Sequence, residues 1–157
     1  MNIIRPAHNI VATKVKSWRS IKKEALELRE FMKDIDKKVE GHYKSAYAIS
    51  HAQVSSNPKD FFVIDESHEE LLKLFGSWCI INLKVVKSSE EIHWDEACMS
   101  FPFRKPKNTY RMNKVTVKYR VPFLWFTRPV KRKFDGLPAF ICQHESDHAN
   151  GKNIYGK

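Results

Sequence analysis

Asp135-Gly-Leu-Pro-Ala-Phe-Ile-Cys-Gln-His-Glu-Ser-Asp-His-Ala-Asn-Gly151 is the stretch on which the fold of this chain turns. Pro138 suits the first turn of a helix, where its missing N–H leaves no bond unmade. Phe140, Ile141, His144 and His148 then fall on one face, and Asn150-Gly151 supplies the stop. His144-Glu145-Ser146-Asp147-His148 is an H-E-x-x-H sequence. Residues four apart on a helix stand on the same side, with Cβ atoms about 6 Å apart. Two imidazoles so placed can chelate one metal ion, and Glu145 sits beside the remaining coordination position as a general base. The plainer alternative is two solvated His on an amphipathic helix. It fits poorly, because the pair prolongs the apolar face of Phe140 and Ile141 and so points inward, where imidazoles without partners lose hydration.

A third metal ligand has to come from elsewhere. Only nine residues follow His148, and none is His, Cys, Asp or Glu, whereas zinc proteases of the usual kinds take a ligand downstream of this motif. The upstream candidates are Cys98, Cys79, Cys142, His51, His93 and several carboxylates. Cys142 lies two residues before His144 on the same helix and points elsewhere. Cys79 sits in an apolar run and reads as core. Cys98 stands in Asp95-Glu-Ala-Cys-Met-Ser-Phe-Pro102, with small and polar residues around the thiol.

Outward from this helix, the periodicity changes several times. Ile21, Ala25, Leu28, Met32, Ile35 and Val39 recur at alternating intervals of four and three, one face of an amphipathic helix over residues 20–40, with Gly41 as its left-handed terminator. Asp60-Phe-Phe-Val-Ile64 reads as a buried strand, and the β-branched run from Trp78 to Val86 as another. Val115, Val117, Tyr119 and Val121 alternate with Thr116, Lys118 and Arg120, which predicts a half-buried strand with a charged outer face. Phe123-Leu-Trp-Phe126 continues it or starts its hairpin partner. The expected fold is α+β, with an N-terminal amphipathic helix and antiparallel sheets packed around the late metal-binding helix.

The chain has 157 residues, which suits a single domain over 1–157 with one core. A hydrophobic content of 42%, with ten Phe and four Trp, excludes wholesale disorder. No run approaches the ~18 apolar residues of a membrane span, so no membrane partner is expected. Three Cys cannot all pair, which points to a reducing compartment. Lys and Arg number 28 against 18 Asp and Glu, a net charge of +10, and such a balance suggests nucleic acid or an anionic surface. The excess is local: residues 101–135 hold eleven basic side chains and one acidic, while residues 41–100 are acidic in balance. The first 23 residues hold six basic side chains and no acidic one. A transit peptide has this balance, but one Arg before Lys14 and sparse Ser favour an ordinary N-terminal arm.

Three motifs carry a resemblance. Gln143 to His148 match Q-H-E-x-D-H, Glu96-Ala-Cys-Met-Ser100 matches E-G-C-L-S, and Ala46-Tyr-Ala-Ile-Ser-His-Ala-Gln53 loosely matches G-x-G-x-[AS]-A-x-Q. In this order and at these approximate spacings, with the strand Phe61–Asp65 after the first motif, the chain resembles the peptide deformylases over nearly its whole length. The resemblance implies that Cys98, His144 and His148 bind one divalent metal, Fe²⁺ in the family, with Zn²⁺, Ni²⁺ or Co²⁺ as substitutes. It implies that activated water attacks the formyl carbon of N-formylmethionyl nascent peptides. Glu145 would take the water proton and pass it to the leaving amine. The Gln53 side chain and the Met99 backbone N–H would receive the oxyanion. Family positions lining the methionine slot and groove correspond to Tyr47, Ala48, Trp94, Ala97, Leu137, Phe140 and Ile141, all of which could equally be core. Glu96 and Asp147 would orient the ligands, with Arg111 a buried partner of one of them.

The departures are specific. Ala46, Ala48 and Ala97 stand where the family has glycines, and an added methyl can narrow a groove while keeping the N–H. His51 replaces a small residue and either is solvated or lines the groove. Bacterial relatives continue beyond the H-E-x-x-H helix with another helix, so a short form like this one resembles phage-encoded deformylases. The implied setting is the cytoplasm of a bacterium or of its phage-infected host, and the implied state a monomer. Residues 101–135 are then a candidate surface for the ribosome. Two alternatives stand beside this: another metalloamidase or protease using the same site, and a decayed, non-catalytic module binding RNA or the ribosome through residues 101–135.

Overall fold

The computed structural model describes residues 1–3, 10–33, 35, 46–101 and 103–155. A short 3₁₀ turn (Trp18–Ser20) leads into helix α1 (Lys22–Lys33). Strand β1 (Ala48–Ser50), a 3₁₀ turn (His51–Gln53) and β2 (Phe61–Ile64) follow, then α2 (Glu69–Phe75), β3 (Cys79–Glu96), β4 (Lys107–Phe123), β5 (Phe126–Asp135) and α3 (Leu137–Ala149). The strands form one antiparallel sheet in the order β1-β2-β3-β4-β5. The architecture is the expected α+β, with one continuous sheet in place of several.

The sheet has a core on each face, and β2 shows why. All four of its residues are buried. Phe62 and Ile64 pack with Ile141 and Cys142 of α3, while Phe61 and Val63 pack with Ala25, Leu28 and Met32 of α1. A strand covered on both faces reads as an unbroken apolar run rather than an alternation. α1 is the expected amphipathic helix, and Ile35 is still helical; Val39 and Gly41 lie outside the described residues. Residues 10–15 are hydrogen-bonded to the rest of the domain. The Ala12 N–H donates to the Ala149 carbonyl (2.7 Å), and the Asn82 amide bonds both the N–H and the C=O of Val15 (2.9 and 2.8 Å).

Three elements differ from expectation. The strand expected over 78–86 runs on to Glu96, because β4 pairs with it along nearly its whole length. Its outer half is exposed and not apolar, so composition gave no sign of it. Phe123 and Phe126 pair across a two-residue turn, so the basic run after Trp125 is the hairpin partner β5. The helix α2 was not foreseen, since seven residues with only Leu71 and Phe75 buried carry little periodicity. It matters nonetheless: the Tyr119 hydroxyl donates to the Phe75 carbonyl (2.6 Å), and the Phe75 ring lies 4.6 Å from that of Phe134, fastening β4 and β5 to the core.

Candidate metal centre and groove

Helix α3 begins as its sequence requires. Gly136 stands before it at φ 67°, and Pro138 occupies the first turn. It ends at Asn150, with Gly151 at φ 71°, where a Cβ would lie 2.8 Å from the Ile10 carbonyl oxygen. Positive φ and close approach both demand glycine there. This frame turns Glu145 and His148 into the interior, while His144 stays half-buried at the groove. Cys98 arrives from the turn that follows β3 and is buried.

One ligand atom from each of Cys98, His144 and His148 lies within 4.8 Å of the other two. His148 Nε2 is 3.4 Å from Cys98 Sγ and 3.2 Å from His144 Nε2. His144 Nδ1 is hydrogen-bonded to Glu96 Oε1 (2.8 Å), which keeps the proton on Nδ1 and leaves the Nε2 lone pair for the centre. Two imidazole nitrogens and a thiol converging this closely fit a divalent metal, since one cation uses all three lone pairs while a single proton can be shared by only two of them. Burial pushes His148 well below the usual histidine range, and the neighbouring His144 adds to this. Burial also opposes charge on His144, but hydrogen bonds with Cys98 and Glu96 outweigh it and raise that group.

Beneath His144 lies a closed network of charge. Arg111 donates from Nε and Nη2 to Glu96 (2.7 and 2.9 Å) and from Nη1 to Asp147 (2.8 Å). The Thr109 hydroxyl also donates to Glu96. Burial alone would raise the Glu96 carboxyl, but these donors and His144 hold it at about 2. Arg111 was expected to pair with Glu96 or Asp147; it pairs with both. Glu145 is the opposite case. Its Oε2 is buried without a hydrogen-bond partner among the described residues, and burial pushes the carboxyl up to about 7.

Gln53 is buried, in a 3₁₀ turn capped by Ser50. Its Oε1 accepts from the Ser50 N–H (3.0 Å), which aims its NH₂ at Ser100 Oγ (3.1 Å) and Cys98 Sγ (3.7 Å). A groove of about 270 Å³ opens over this centre. It is lined by Gln53, Met99 and Glu145 and by all seven expected groove residues: Tyr47, Ala48, Trp94, Ala97, Leu137, Phe140 and Ile141. The Trp94 and Phe140 rings meet at a tilt of 32° with centroids 4.4 Å apart, and both line the groove.

The remaining candidates go elsewhere. Cys79 and Cys142 are fully buried in the two cores, where burial raises both thiols. His93 is exposed and bonded to Asn108. His51 neither is solvated nor lines the groove. It is buried, stacked 4.8 Å from Phe61, and its Nδ1 accepts from the Lys59 N–H (3.0 Å). Sequence reasoning missed Thr109 as a partner of Glu96, Asp95 as a lining residue, and the role of Gln143. Gln143 bonds both the N–H and the C=O of Met112 (2.9 and 2.8 Å), fixing α3 beside Arg111. Pairing register places these contacts, and a single sequence does not state its register.

Fold and comparisons together define a metallohydrolase. The family model described as Polypeptide deformylase matches residues 1–157, and the chain belongs to the peptide deformylase family. Peptide deformylase 1 of Coxiella burnetii is 33% identical over 122 residues, 76% of this chain and 68% of that protein. The PDF of the Vibrio parahaemolyticus bacteriophage VP16T, solved in complex with actinonin, superposes with a TM-score of 0.75 at 25% identity, covering 98% of this chain and 100% of that one. The peptide deformylase of Thermotoga maritima does so with a TM-score of 0.76 at 25% identity, covering 99% and 95%. The chain is therefore an enzyme that removes the N-formyl group from nascent peptides, and the family implies a divalent metal.

Proposed function

We propose that Cys98, His144 and His148 hold the metal, that Glu145 carries the proton, and that the Gln53 amide and the Met99 backbone N–H receive the oxyanion. The observation that carries this is the convergence of three ligand atoms within 4.8 Å beside a carboxylate oxygen with no partner of its own. When bound, the metal supplies Lewis acidity and lowers the pKa of a water molecule. Glu145 is placed to accept a proton from the attacking water and to deliver it to the departing amine nitrogen. A carboxyl raised towards neutrality suits both transfers. Gln53 is held by Ser50 before substrate arrives, so its N–H needs no reorganisation as charge develops on the formyl oxygen.

The methionine side chain lies against Trp94, Leu137, Phe140 and Ile141, with Tyr47, Ala48 and Ala97 along the peptide. Glu96, Asp147 and Arg111 orient His144 from beneath. Iron is the native metal in this reading, with zinc, nickel or cobalt as replacements, since imidazole and thiolate suit all four. Residues 1–157 act as one domain and as a monomer in the cytoplasm of a bacterium or of its phage-infected host, near the ribosome through basic residues of 101–135. Among the described residues, no helix is long and apolar enough to cross a membrane.

Protein purified without oxygen and loaded with iron or zinc should turn over formyl-Met-Ala-Ser and carry one metal per chain by elemental analysis. Cys98→Ala should lose both. Turnover that survives metal removal, or an inert peptide with one metal bound, overturns the assignment.

A further inference from the structure

The charge of residues 101–135 divides when folded. Arg111 is spent beneath the metal centre, Lys114 pairs with Glu90 (2.6 Å), and Arg120 is tied to Thr127. What remains is ordered differently from the sequence. Lys84 of β3 stands opposite Lys118 of β4, and Lys118 opposite Lys131 of β5. Three lysines therefore lie abreast across three strands. Next to them, Thr116 is flanked by Lys87 and Lys133. Among the described residues, none of these lysines forms an ion pair, and Lys84 comes from the part of the sequence that is acidic in balance.

This row is exposed on the face of the sheet away from α3. Val115, Val117, Tyr119 and Val121 point to the core shared with α3, so Thr116 and Lys118 point the other way. Helix α1 packs on that face over β1, β2 and the start of β3, and the Trp18–Ser20 turn before it reaches β5, while Lys84, Lys118 and Lys131 stay exposed. Like charges directly opposite one another destabilise a sheet. The same hairpin carries two further costs at its tip. Leu124 and Trp125 are 68% and 78% exposed, and Leu124 adopts φ 54°, a conformation that side chains with a Cβ rarely take. Arg128 lies over the Phe123 ring at 5.0 Å, and Trp125 packs edge-on against Phe126 at 5.9 Å.

We propose that this face binds RNA with unpaired bases, the lysine row meeting successive phosphates and the Trp125 tip stacking a base. Neighbouring strands are about 4.8 Å apart, so the row offers evenly spaced point charges to a polyanion. A flexible nucleic-acid strand meets row and tip together, because it can cross the row from β3 to β5 and then turn along the hairpin to its tip. A membrane cannot. With the tip in a bilayer, Lys118 and Lys131 would stand about 17 Å away along the strands, well beyond the ~8 Å screening length at physiological salt. The proposal deepens the ribosomal setting given above and rests on it for the presence of RNA near the substrate.

The test is fluorescence anisotropy with a labelled oligouridylate of about 20 nucleotides, from 50 to 200 mM salt. Wild-type protein should bind it with a steep salt dependence. The triple variant Lys84→Gln, Lys118→Gln, Lys131→Gln should lose at least tenfold in affinity. Its log–log salt slope should fall by roughly 2, about 0.7 for each single-strand phosphate that no longer meets a lysine. Trp125→Ala should lose at least about fivefold. Both variants should retain formyl-Met-Ala-Ser turnover, since neither touches the metal centre, and neither should melt below the wild type, because the triple variant removes opposed like charges. Unchanged RNA affinity in the triple variant overturns the proposal and leaves deformylation standing. Tighter binding to phosphatidylserine vesicles than to RNA, lost in Trp125→Ala, also overturns it in favour of a membrane. If Glu145→Gln keeps RNA affinity while wild-type protein shows no turnover, the catalytic reading fails and this one survives.

Discussion

Glu96 and Glu145 lie on two sides of one metal centre and are treated in opposite ways. Glu96 has both oxygens matched by Arg111, with His144 and Thr109 as further donors, and its carboxyl is held at about 2. Glu145 is equally buried and has an oxygen with no partner, and its carboxyl stands at about 7. Burial raises the proton affinity of both, so donors make the difference. A carboxylate whose lone pairs are all matched orients its neighbours; one left unmatched is free to exchange a proton.

The comparison is broken most severely at Glu145. Glu145→Gln keeps the shape and removes the proton carrier. Turnover of formyl-Met-Ala-Ser should fall on the order of 10³-fold, while metal content and the urea midpoint hold or rise. A variant that keeps wild-type turnover would make Glu145 a bystander. The same substitution at Glu96 should act on stability first. Glu96→Gln leaves the buried Arg111 with Asp147 as its only carboxylate, and a buried pair broken on one side costs about 3 kcal/mol, read from urea unfolding. Metal affinity should drop ten- to a hundredfold as His144 loses its anchor. Equal effects of the two variants on turnover and stability would erase the distinction.

A smaller break tests what positions the network. Gln143 bonds both backbone groups of Met112, the neighbour of Arg111. Gln143→Leu leaves those groups unpaired in a partly buried place, at a cost of about 2 kcal/mol. Metal should still bind, because no ligand is touched. Loss of metal at unchanged stability would show that Gln143 acts on the ligands directly.

These contrasts also mark what the sequence could say. The H-E-x-x-H helix was legible because helical spacing, an apolar face, Pro138 and Gly151 all agree on one element. The buried strand β2 and the alternating part of β4 were legible for the same reason. Resemblance supplied Cys98, Gln53 and the groove residues Tyr47, Ala48, Trp94 and Ala97, which lie far from the helix in sequence and share no period with it. The outer half of β3, the register that sets Arg111 beside Glu96, and the lysine row were not legible. Each depends on pairing between distant segments that are not apolar. His51 shows the limit from the other side: as a lone histidine beside a catalytic motif it invited a solvent or groove role, and its place beneath Phe61 is visible only in three dimensions.

His51 gives the finest version of the same comparison, a buried ionisable group whose surroundings favour the neutral form. Burial lowers its proton affinity; Glu24, 3.7 Å from Nε2, opposes this, and Lys59 reinforces it. The Lys59 N–H donates to Nδ1, a bond that protonation at Nδ1 would destroy, and Phe61 covers the ring. The folded-state pKa therefore lies below the unfolded value of about 6.5. Above that value the ring is neutral in both states and contributes nothing to pH dependence. As pH falls through it, the unfolded chain takes up the proton first, so stability declines until the folded ring also protonates. Wild-type protein should lose more stability between pH 8.0 and 5.5 than His51→Gln, measured by urea unfolding at matched ionic strength. Equal losses would mean that the Glu24 carboxylate balances burial, and that His51 resembles the matched Glu96 more than the unmatched Glu145.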